Sequence, residues 1–208
     1  MRLNTQLVEK SAAIYGPFGR TLILSDLELI SLDNLSITLD SFSCLNLSNN
    51  RITHLRCDSV LKNLRVLLLM DNHIENLESL AKSFPGLEDL NLVGNNIRSL
   101  EVLERLKDSQ SLKRIYLAGN PVAENPNLRP FLAARLTSLK VVDFQKVTSS
   151  EVKVGLEKFG INLALLGFKD KLKLVIEKAR SISEIKRIEN LIKNNKLTEE
   201  ELNNLLMV

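Results

Sequence analysis

The sequence has no tryptophan, and aromatic residues make up only 4% of its 208 positions. So few rings argue against a sheet that stacks nucleic-acid bases on exposed aromatic side chains. The two cysteines, Cys44 and Cys57, lack the spacing of a metal site and the density of a disulfide scaffold, so a reducing compartment is expected. His54 lies three residues before Cys57, but the nearby pattern offers no further cysteine or histidine to complete a zinc site.

Motifs that carry catalysis are missing as well. There is no glycine-rich phosphate loop, nucleophile elbow or paired-carboxylate motif, and the second histidine, His73, occupies a turn position. We therefore predict no catalytic residue, no metal site, no cofactor and no enzymatic activity. No apolar run approaches the roughly 18 residues that span a bilayer, so no membrane segment is expected. Glu9 and Lys10 fall within the N-terminal apolar pattern, which argues against a signal peptide.

What the chain does have is a repeat. Four segments share a pattern of alternating apolar residues followed by an asparagine: LNLSNNRI from Leu45, LLLMDNHI from Leu67, LNLVGNNI from Leu90 and IYLAGNPV from Ile115. Less regular copies begin at Leu22 and Val142, so six units follow one another 22 to 27 residues apart. This period is typical of leucine-rich repeats. We predict an α/β leucine-rich repeat solenoid, a curved parallel sheet with N- and C-terminal caps and a helical C-terminal tail.

Each position of the repeat has a physical role. The strand leucines alternate with other residues, so they are predicted to point into the core. The asparagines fall where the chain leaves each strand, and an amide side chain both donates and accepts hydrogen bonds. A stacked row of them can satisfy backbone groups inside the turns. This row consists of Asn50, Asn72, Asn95 and Asn120, and Leu27 replaces the asparagine in the first unit.

A solenoid needs caps because its terminal repeats have no neighbour on one side. At the N-terminus we predict a short helix with one apolar face, formed by Leu3, Leu7, Val8 and Ala12. Near the C-terminal end we predict a helix from Leu128 to Leu136 and then a last strand unit. In that unit Val142 and Phe144 occupy the inward positions and Lys146 lies near the asparagine position.

The repeat stops near residue 150, where Thr148–Glu151 has the spacing of a capping box. We therefore predict a repeat domain with its caps over residues 1–150 and a helical extension over 151–208. The segment 161–176 has a mostly helical pattern, and Ser181–Glu184 and Thr198–Glu201 fit capping boxes. An amphipathic helix is predicted from the spacing of Ile182, Ile185, Ile188, Leu191 and Ile192.

The surface left for function is the concave face, defined as the strand residues that alternate away from the core. Its members are Thr21, Ile23, Ser25, Cys44, Asn46, Ser48, Val66, Leu68, Met70, Asp89, Asn91, Val93, Arg114, Tyr116, Ala118, Val141, Asp143 and Gln145. An apolar spot with a polar rim suits a helix or loop of a protein partner. The predicted partner contacts are Asn46, Leu68, Met70, Asp89, Asn91, Val93, Arg114, Tyr116 and Asp143. An open alternative is that the chain's own tail covers some of them.

More specific segments point beyond the repeat itself. These are MRLNTQLVEKSA at the N-terminus, TLILSDLELISLDNL, the NPV at 120–122, VVDFQKVTSSE at 141–151 and KARSISEIKRIENLI in the tail. Together they resemble the A-prime family of the spliceosomal U2 small nuclear ribonucleoprotein, and DFQKV is the most telling short piece. The resemblance covers nearly the whole chain.

The resemblance implies a non-enzymatic scaffold in the nucleus that works in pre-mRNA splicing. It implies a concave face that cradles a helix of the B-double-prime protein, which contains an RNA-recognition motif. The pair is expected to bind a stem-loop of the U2 small nuclear RNA, mainly through that partner, and to meet other spliceosomal proteins. A few basic residues would touch the RNA backbone, for which Arg20, Lys146 and Lys153 are the candidates. The net charge of +3 permits such contact without requiring it.

The sequence departs from the family pattern at two positions of the C-terminal cap. Leu128-Arg129 stands where the family usually has Tyr-Arg, and Thr137 stands where a proline commonly precedes the last strand. The fold should tolerate both changes. Because repeat arrays serve many tasks, a second interpretation stays open, namely an adaptor or regulatory subunit for a phosphatase or cytoskeletal partner, without RNA.

Overall fold

The computed structural model describes residues 2–55, 57, 59–78, 80–160, 172, 175–176, 179, 181–194 and 197–206. The chain divides into two compact units, Met1–Gly160 and Ile161–Val208. This division lies beyond the predicted boundary at residue 150, because the helix that follows Thr148 packs on the preceding cap helix and belongs to the first unit.

One sheet of eight strands, ordered as they occur in the chain, forms the first unit. The strands are β1 (Ala13–Gly16), β2 (Gly19–Ile23), β3 (Cys44–Asn46), β4 (Val66–Leu68), β5 (Asp89–Asn91), β6 (Arg114–Tyr116), β7 (Val141–Val142) and β8 (Gln145–Lys146). Strands β2 to β7 pair in parallel, one from each repeat, which confirms the predicted leucine-rich repeat sheet. Strands β1 and β8 pair antiparallel at the two edges.

Short helical segments return the chain from one strand to the next. The α-helices of the first unit are α1 (Thr5–Lys10), α2 (Leu80–Ser83), α3 (Leu100–Leu103), α4 (Leu128–Arg135) and α5 (Ser149–Phe159). Single turns of 3₁₀ helix occur at Leu35–Thr38, Glu104–Leu106 and Pro121–Glu124. The second unit contains α6 (Ile182–Lys193) and α7 (Glu199–Leu206).

The core of the first unit is built from the inward strand positions and the apolar residue after each asparagine. Register aligns Leu22, Leu45, Leu67, Leu90, Ile115 and Val142 across the parallel strands. All are buried, as are Ile52, Ile74, Ile97 and Val122. Full burial of such a side chain contributes about 1.5–3 kcal/mol each, so the stacked repeats stabilise one another through this continuous core.

The asparagine row forms as predicted. In Asn95 the amide nitrogen donates to the carbonyls of Leu69 at 2.9 Å and Leu92 at 3.0 Å, and the amide oxygen accepts from the Ile74 nitrogen at 2.9 Å. Asn50, Asn72 and Asn120 repeat this arrangement. Each side chain therefore links two successive turns. In the first repeat, the backbone nitrogen of Leu27 donates to the side-chain oxygen of Asn50. This repeat therefore begins the row without contributing an amide side chain.

At the N-terminal end the predicted cap is only partly right. Helix α1 forms, Leu3 is buried, and the Asn4 side chain caps the helix by accepting from the Leu7 nitrogen at 2.9 Å. The helix ends at Lys10, however, so Ala12 is exposed and lies outside it. The chain then forms a β1–β2 hairpin that periodicity had not indicated. Pro17 and Phe18 make its turn, and Gly19 adopts φ +86°, a value that favours glycine.

At the C-terminal end the helix and capping box form, but the frame of the last strand differs from the prediction. The Thr148 hydroxyl accepts from the Glu151 nitrogen, and the Glu151 carboxylate accepts from the Thr148 nitrogen at 2.7 Å. Strand β7 ends at Val142, and Asp143 and Phe144 form a two-residue turn into β8. Phe144 therefore does not point into the core as predicted; it is 78% exposed.

In the second unit, α6 begins at Ile182 as predicted, and the Thr198–Glu201 capping box is present before α7. Among the described residues of this unit, Val175, Ile188 and Leu202 are buried. Most of the predicted helix over 161–176, and the side chain of Glu184 in the other capping box, lie outside the described residues. Within the described part of the chain, no helix combines the length and apolar character needed to cross a membrane.

Candidate protein-interaction face

The concave face consists of three rows of side chains that run across the parallel strands. The first row is largely buried, including Thr21, Cys44, Val66 and Asp89. The second and third rows are half-buried at Asn46, Leu68, Asn91, Tyr116, Met70 and Val93. Cys44 and Ser48 were expected on the accessible face, but both are buried. The accessible part of the concave face therefore lies mainly in its second and third rows, in the repeats of strands β3 to β6.

An ion pair marks the first row at β5 and β6. Both carboxylate oxygens of Asp89 accept from the Arg114 guanidinium, through Nε and through Nη2 at 2.5 Å. The Asp89 side chain is 9% exposed and that of Arg114 is 42% exposed, so the arginine covers the carboxylate. The hydrogen bonds that Arg114 donates to the Asp89 carboxylate raise the pKa of Arg114. The arginine head is thereby held in one orientation beside the apolar rows.

Apolar side chains occupy the other two rows, at the end of strand β4 and just after strands β4 and β5. Leu68, Met70 and Val93 lie half-buried in the outer two rows. Beside them, the side-chain oxygens of Asn46 and Asn91 each accept from a backbone nitrogen two residues on, at 3.1 Å. These bonds fix the asparagine side chains through their oxygens, and the amide nitrogens are hydrogen-bond donors. The combination suits a partner segment that is apolar with a few polar groups.

An aromatic pair forms the C-terminal side of the concave face. The ring of Tyr116 lies 4.7 Å from the ring of Phe144, centroid to centroid, at an interplanar angle of 43°. Sequence reasoning included Tyr116 but missed Phe144. The signal that could have found it is the aspartate between two short strands, because aspartate is common at the first position of a two-residue hairpin turn. The phenylalanine then occupies the second turn position, where glycine is usual.

The predicted contact residue Asp143 has a structural role of its own. In the inner repeats, the nitrogen after each strand donates to a carbonyl of the next strand, as Leu92 does to Tyr116 at 2.9 Å. The pattern changes after β6, where Asp143 Oδ1 accepts from the nitrogens of Leu117 at 2.6 Å and Ala118 at 2.9 Å instead. One carboxylate oxygen therefore takes the place of a strand carbonyl in this repeat. A contact of Asp143 with a partner stays a prediction.

The structure does not bring the three candidate basic residues together. Arg20 lies on β2 near the N-terminal edge of the sheet, with its guanidinium 4.6 Å from the centroid of the Phe42 ring. Lys146 on β8 and Lys153 on α5 both belong to the C-terminal cap. All three are exposed. RNA contact therefore stays a prediction for each, and Lys146 and Lys153 are the two at the same end of the sheet.

Nothing in the described ranges is arranged as a metal centre: they hold no group of three or more histidine, cysteine, aspartate or glutamate side chains that could bind a metal ion. Cys44 is buried, and this burial raises the pKa of its thiol, with the Asp89 charge acting in the same direction. A raised pKa disfavours the nucleophilic thiolate. The chemistry of this face is therefore that of packing, hydrogen bonding and one ion pair.

Comparison with known proteins supplies the context for this face. The family model described as leucine-rich repeat matches residues 1–164. The chain is 34% identical to the U2 small nuclear ribonucleoprotein A′ of Candida albicans, over 99% of this chain and 90% of that protein. It is 32% identical to the probable U2 small nuclear ribonucleoprotein A′ of Drosophila melanogaster and 30% identical to the human one. The matched parts span 61% and 60% of those two proteins.

A solved structure agrees with these relatives. A chain in the crystal structure of the Drosophila melanogaster SNF/U2A′ complex superposes with a TM-score of 0.73 at 32% identity. The match covers 84% of this chain and 99% of that one. The similarity therefore extends over most of this chain, and it concerns a chain that was crystallised as part of a complex.

Proposed function

Because the chain belongs to the leucine-rich repeat family of U2 small nuclear ribonucleoprotein A′ proteins, we propose that it is a non-enzymatic scaffold subunit of the nuclear U2 particle. Its concave face binds a helix of the B-double-prime protein, a protein with an RNA-recognition motif. The pair then binds a stem-loop of the U2 small nuclear RNA during pre-mRNA splicing. Other spliceosomal proteins meet the assembled particle.

The observation that carries this proposal is the composition of the accessible concave face. Half-buried Leu68, Met70 and Val93 provide an apolar strip, while Arg114 and Tyr116 provide the residue types that most often anchor protein interfaces. Arg114 is already paired and oriented by Asp89, so a partner need not order it. The similarity to a chain of the SNF/U2A′ complex supports a protein partner.

The charge distribution supports a secondary role for this chain in RNA binding. The net charge is only +3, and Lys146 and Lys153 are the exposed candidates at one end of the sheet. Lysines of this kind contact phosphates and do not read sequence. The chain by itself should therefore bind RNA weakly, with steep dependence on salt, and should mainly increase the affinity of its partner.

The test is reconstitution with the recombinant B-double-prime protein and its RNA stem-loop. The double variant Met70→Glu with Tyr116→Ala should abolish partner binding, because a charge would be buried and an anchor of the face would be removed. Its melting temperature should stay close to that of the wild type, since both side chains are half-buried. A matched control is Ile30→Glu, at a 45% exposed apolar residue outside the concave face, which should bind normally.

Two results would contradict the proposal. One is recovery of a phosphatase or tubulin with no RNA when the chain is purified from cells. The other is a large loss of fold stability in the double variant, which would mean that the two faces of the sheet had been assigned the wrong way round.

A further inference from the structure

Phe144 occupies a position where folding alone would favour another residue. It is the second residue of the β7–β8 turn, with φ +66°, and Asp143 before it has φ +46°. Such turns favour glycine at this position because a side chain crowds the backbone in the left-handed region. The phenyl ring is also 78% exposed, so the fold gains little from its burial. The strain and the exposure both call for an explanation outside folding.

The turn that presents Phe144 is held from several sides. Arg129 donates to the carbonyl of Val142 at 2.7 Å and to that of Lys146 at 3.0 Å, one on each arm of the hairpin. Asp143 accepts from the backbone nitrogens of Leu117 and Ala118 on the neighbouring repeat. The phenyl ring itself contacts the ring of Tyr116. The side chain is therefore fixed before any partner arrives, which lowers the entropy lost on binding.

We propose that Phe144 is a preorganised anchor of the concave face, which together with Tyr116 receives an apolar side chain from the helix of the RNA-recognition-motif partner. The assignment of this occupant rests on the proposed function. Its basis is continuity: Phe144 stacks on Tyr116, which lies in the same row as Leu68 and Asn91. The exposed ring thus extends the accessible strip of the face beyond the last parallel strand.

Leu39 provides a comparison within the same chain. It is also a large apolar residue with a left-handed backbone, φ +51°, and it is 83% exposed. It follows the 3₁₀ turn Leu35–Thr38 on the return path of the repeat and takes no part in the sheet. Strain and exposure alone therefore do not define a site. What distinguishes Phe144 is its contact with the concave face.

The test measures stability and partner affinity in the same variants, with the full chain and the recombinant B-double-prime protein. Phe144→Gly should leave the melting temperature unchanged or raised, because it relieves the strained backbone. The same change should weaken partner binding at least tenfold, equivalent to about 1.4 kcal/mol. Leu39→Gly should behave the same way in the melt but bind like the wild type. Phe144→Tyr, which keeps the ring, should also bind like the wild type.

Each outcome separates the anchor from the function on which it rests. If the wild type binds the partner and Phe144→Gly binds equally well, the anchor is wrong and the proposed function stands. If Phe144→Gly lowers the melting temperature by several degrees, the ring serves the fold and the anchor is wrong as well. If the wild type itself fails to bind, the proposed function fails, and the anchor falls with it.

Discussion

The two edges of the sheet are both closed by an antiparallel hairpin, yet the two hairpins are built differently. At the N-terminal edge, the turn of β1–β2 is Pro17–Phe18, and the left-handed backbone falls on Gly19. At the C-terminal edge, the turn of β7–β8 is Asp143–Phe144, and the strained backbone falls on those two residues. The first edge places glycine where the geometry needs it. The second places an aromatic residue there.

The two hairpins also differ in the side-chain contacts that support them. The Ser43 hydroxyl donates to the Phe18 carbonyl at 2.7 Å, and Arg20 lies over the Phe42 ring. The C-terminal hairpin is tied by Arg129, which also pairs with Glu151 on α5, and α5 packs closely on α4. A hairpin supported in this way can hold a strained phenylalanine toward a partner. The comparison predicts that substitutions in the C-terminal cap cost more than matched ones at the N-terminal hairpin.

The largest effect is expected for Gly155→Ala. Gly155 lies where α5 crosses α4, and a Cβ there would overlap the carbonyl oxygen of Pro130. Alanine would gain about 1 kcal/mol in helix propensity, but α5 would have to move away from α4. We expect a net loss of about 3 kcal/mol in the free energy of unfolding, measured by urea denaturation.

The matched control is Gly16→Ala in the β1–β2 hairpin. There a Cβ would meet only Thr21 Oγ1 at 3.9 Å, an ordinary contact, so the change should stay within about 0.5 kcal/mol. Equal losses at Gly155 and Gly16 would contradict the comparison, because the C-terminal cap would then be packed no more closely than the N-terminal hairpin.

A smaller effect is expected for Arg129→Met. This substitution removes the ion pair to Glu151 and the two hydrogen bonds to the hairpin carbonyls, while it keeps most of the apolar stem. The expected loss is about 2 kcal/mol, because a partly buried carboxylate is left without its partner. At the other edge, Arg20→Met removes only the contact with Phe42 and should cost less than about 1 kcal/mol. Similar losses at both arginines would show that Arg129 does not tie the cap together.

The parts of the fold that could be predicted are those that repeat. Leucine spacing identified the parallel strands. Asn72 and Asn95 could be placed because each repeat leaves the same backbone groups to be hydrogen-bonded inside its turn, and the same side chain bonds them each time. The capping boxes at Thr148 and Thr198 were equally readable because their signal is local. Periodicity works where every unit has a neighbour on both sides.

The edges could not be predicted in the same way, because there the neighbour is missing. Phe144 fits the strand frame by spacing, but β7 has no following repeat, so the chain turns back and the residue ends at a hairpin tip. Asp143 alternates outward by spacing, and its carboxylate accepts from the Leu117 nitrogen at a place where the inner repeats use a strand carbonyl. These outcomes depend on three-dimensional closure and leave no periodic trace.

The smallest effect concerns the pH dependence of the same cap. The Arg129 guanidinium holds the pKa of Glu151 below its usual range, and burial opposes this only in part. Because the folded-state pKa lies below the unfolded value of about 4.3, the stabilisation is fully present above that pH and is lost as the pH falls through the folded-state pKa. The free energy of unfolding of the wild type should therefore exceed that of Glu151→Gln by about 1 kcal/mol at neutral pH. In acid, where Glu151 is protonated, the two free energies should converge. Urea denaturation at several pH values below neutrality measures this difference. The pKa of Glu88 is also lowered, by Lys113, but its contribution to the pH dependence cancels in the difference because both proteins contain Glu88. A difference that stays constant with pH would mean that the Glu151 charge does not contribute to the rigidity of the C-terminal edge, and the contrast between the two edges would then rest on packing alone.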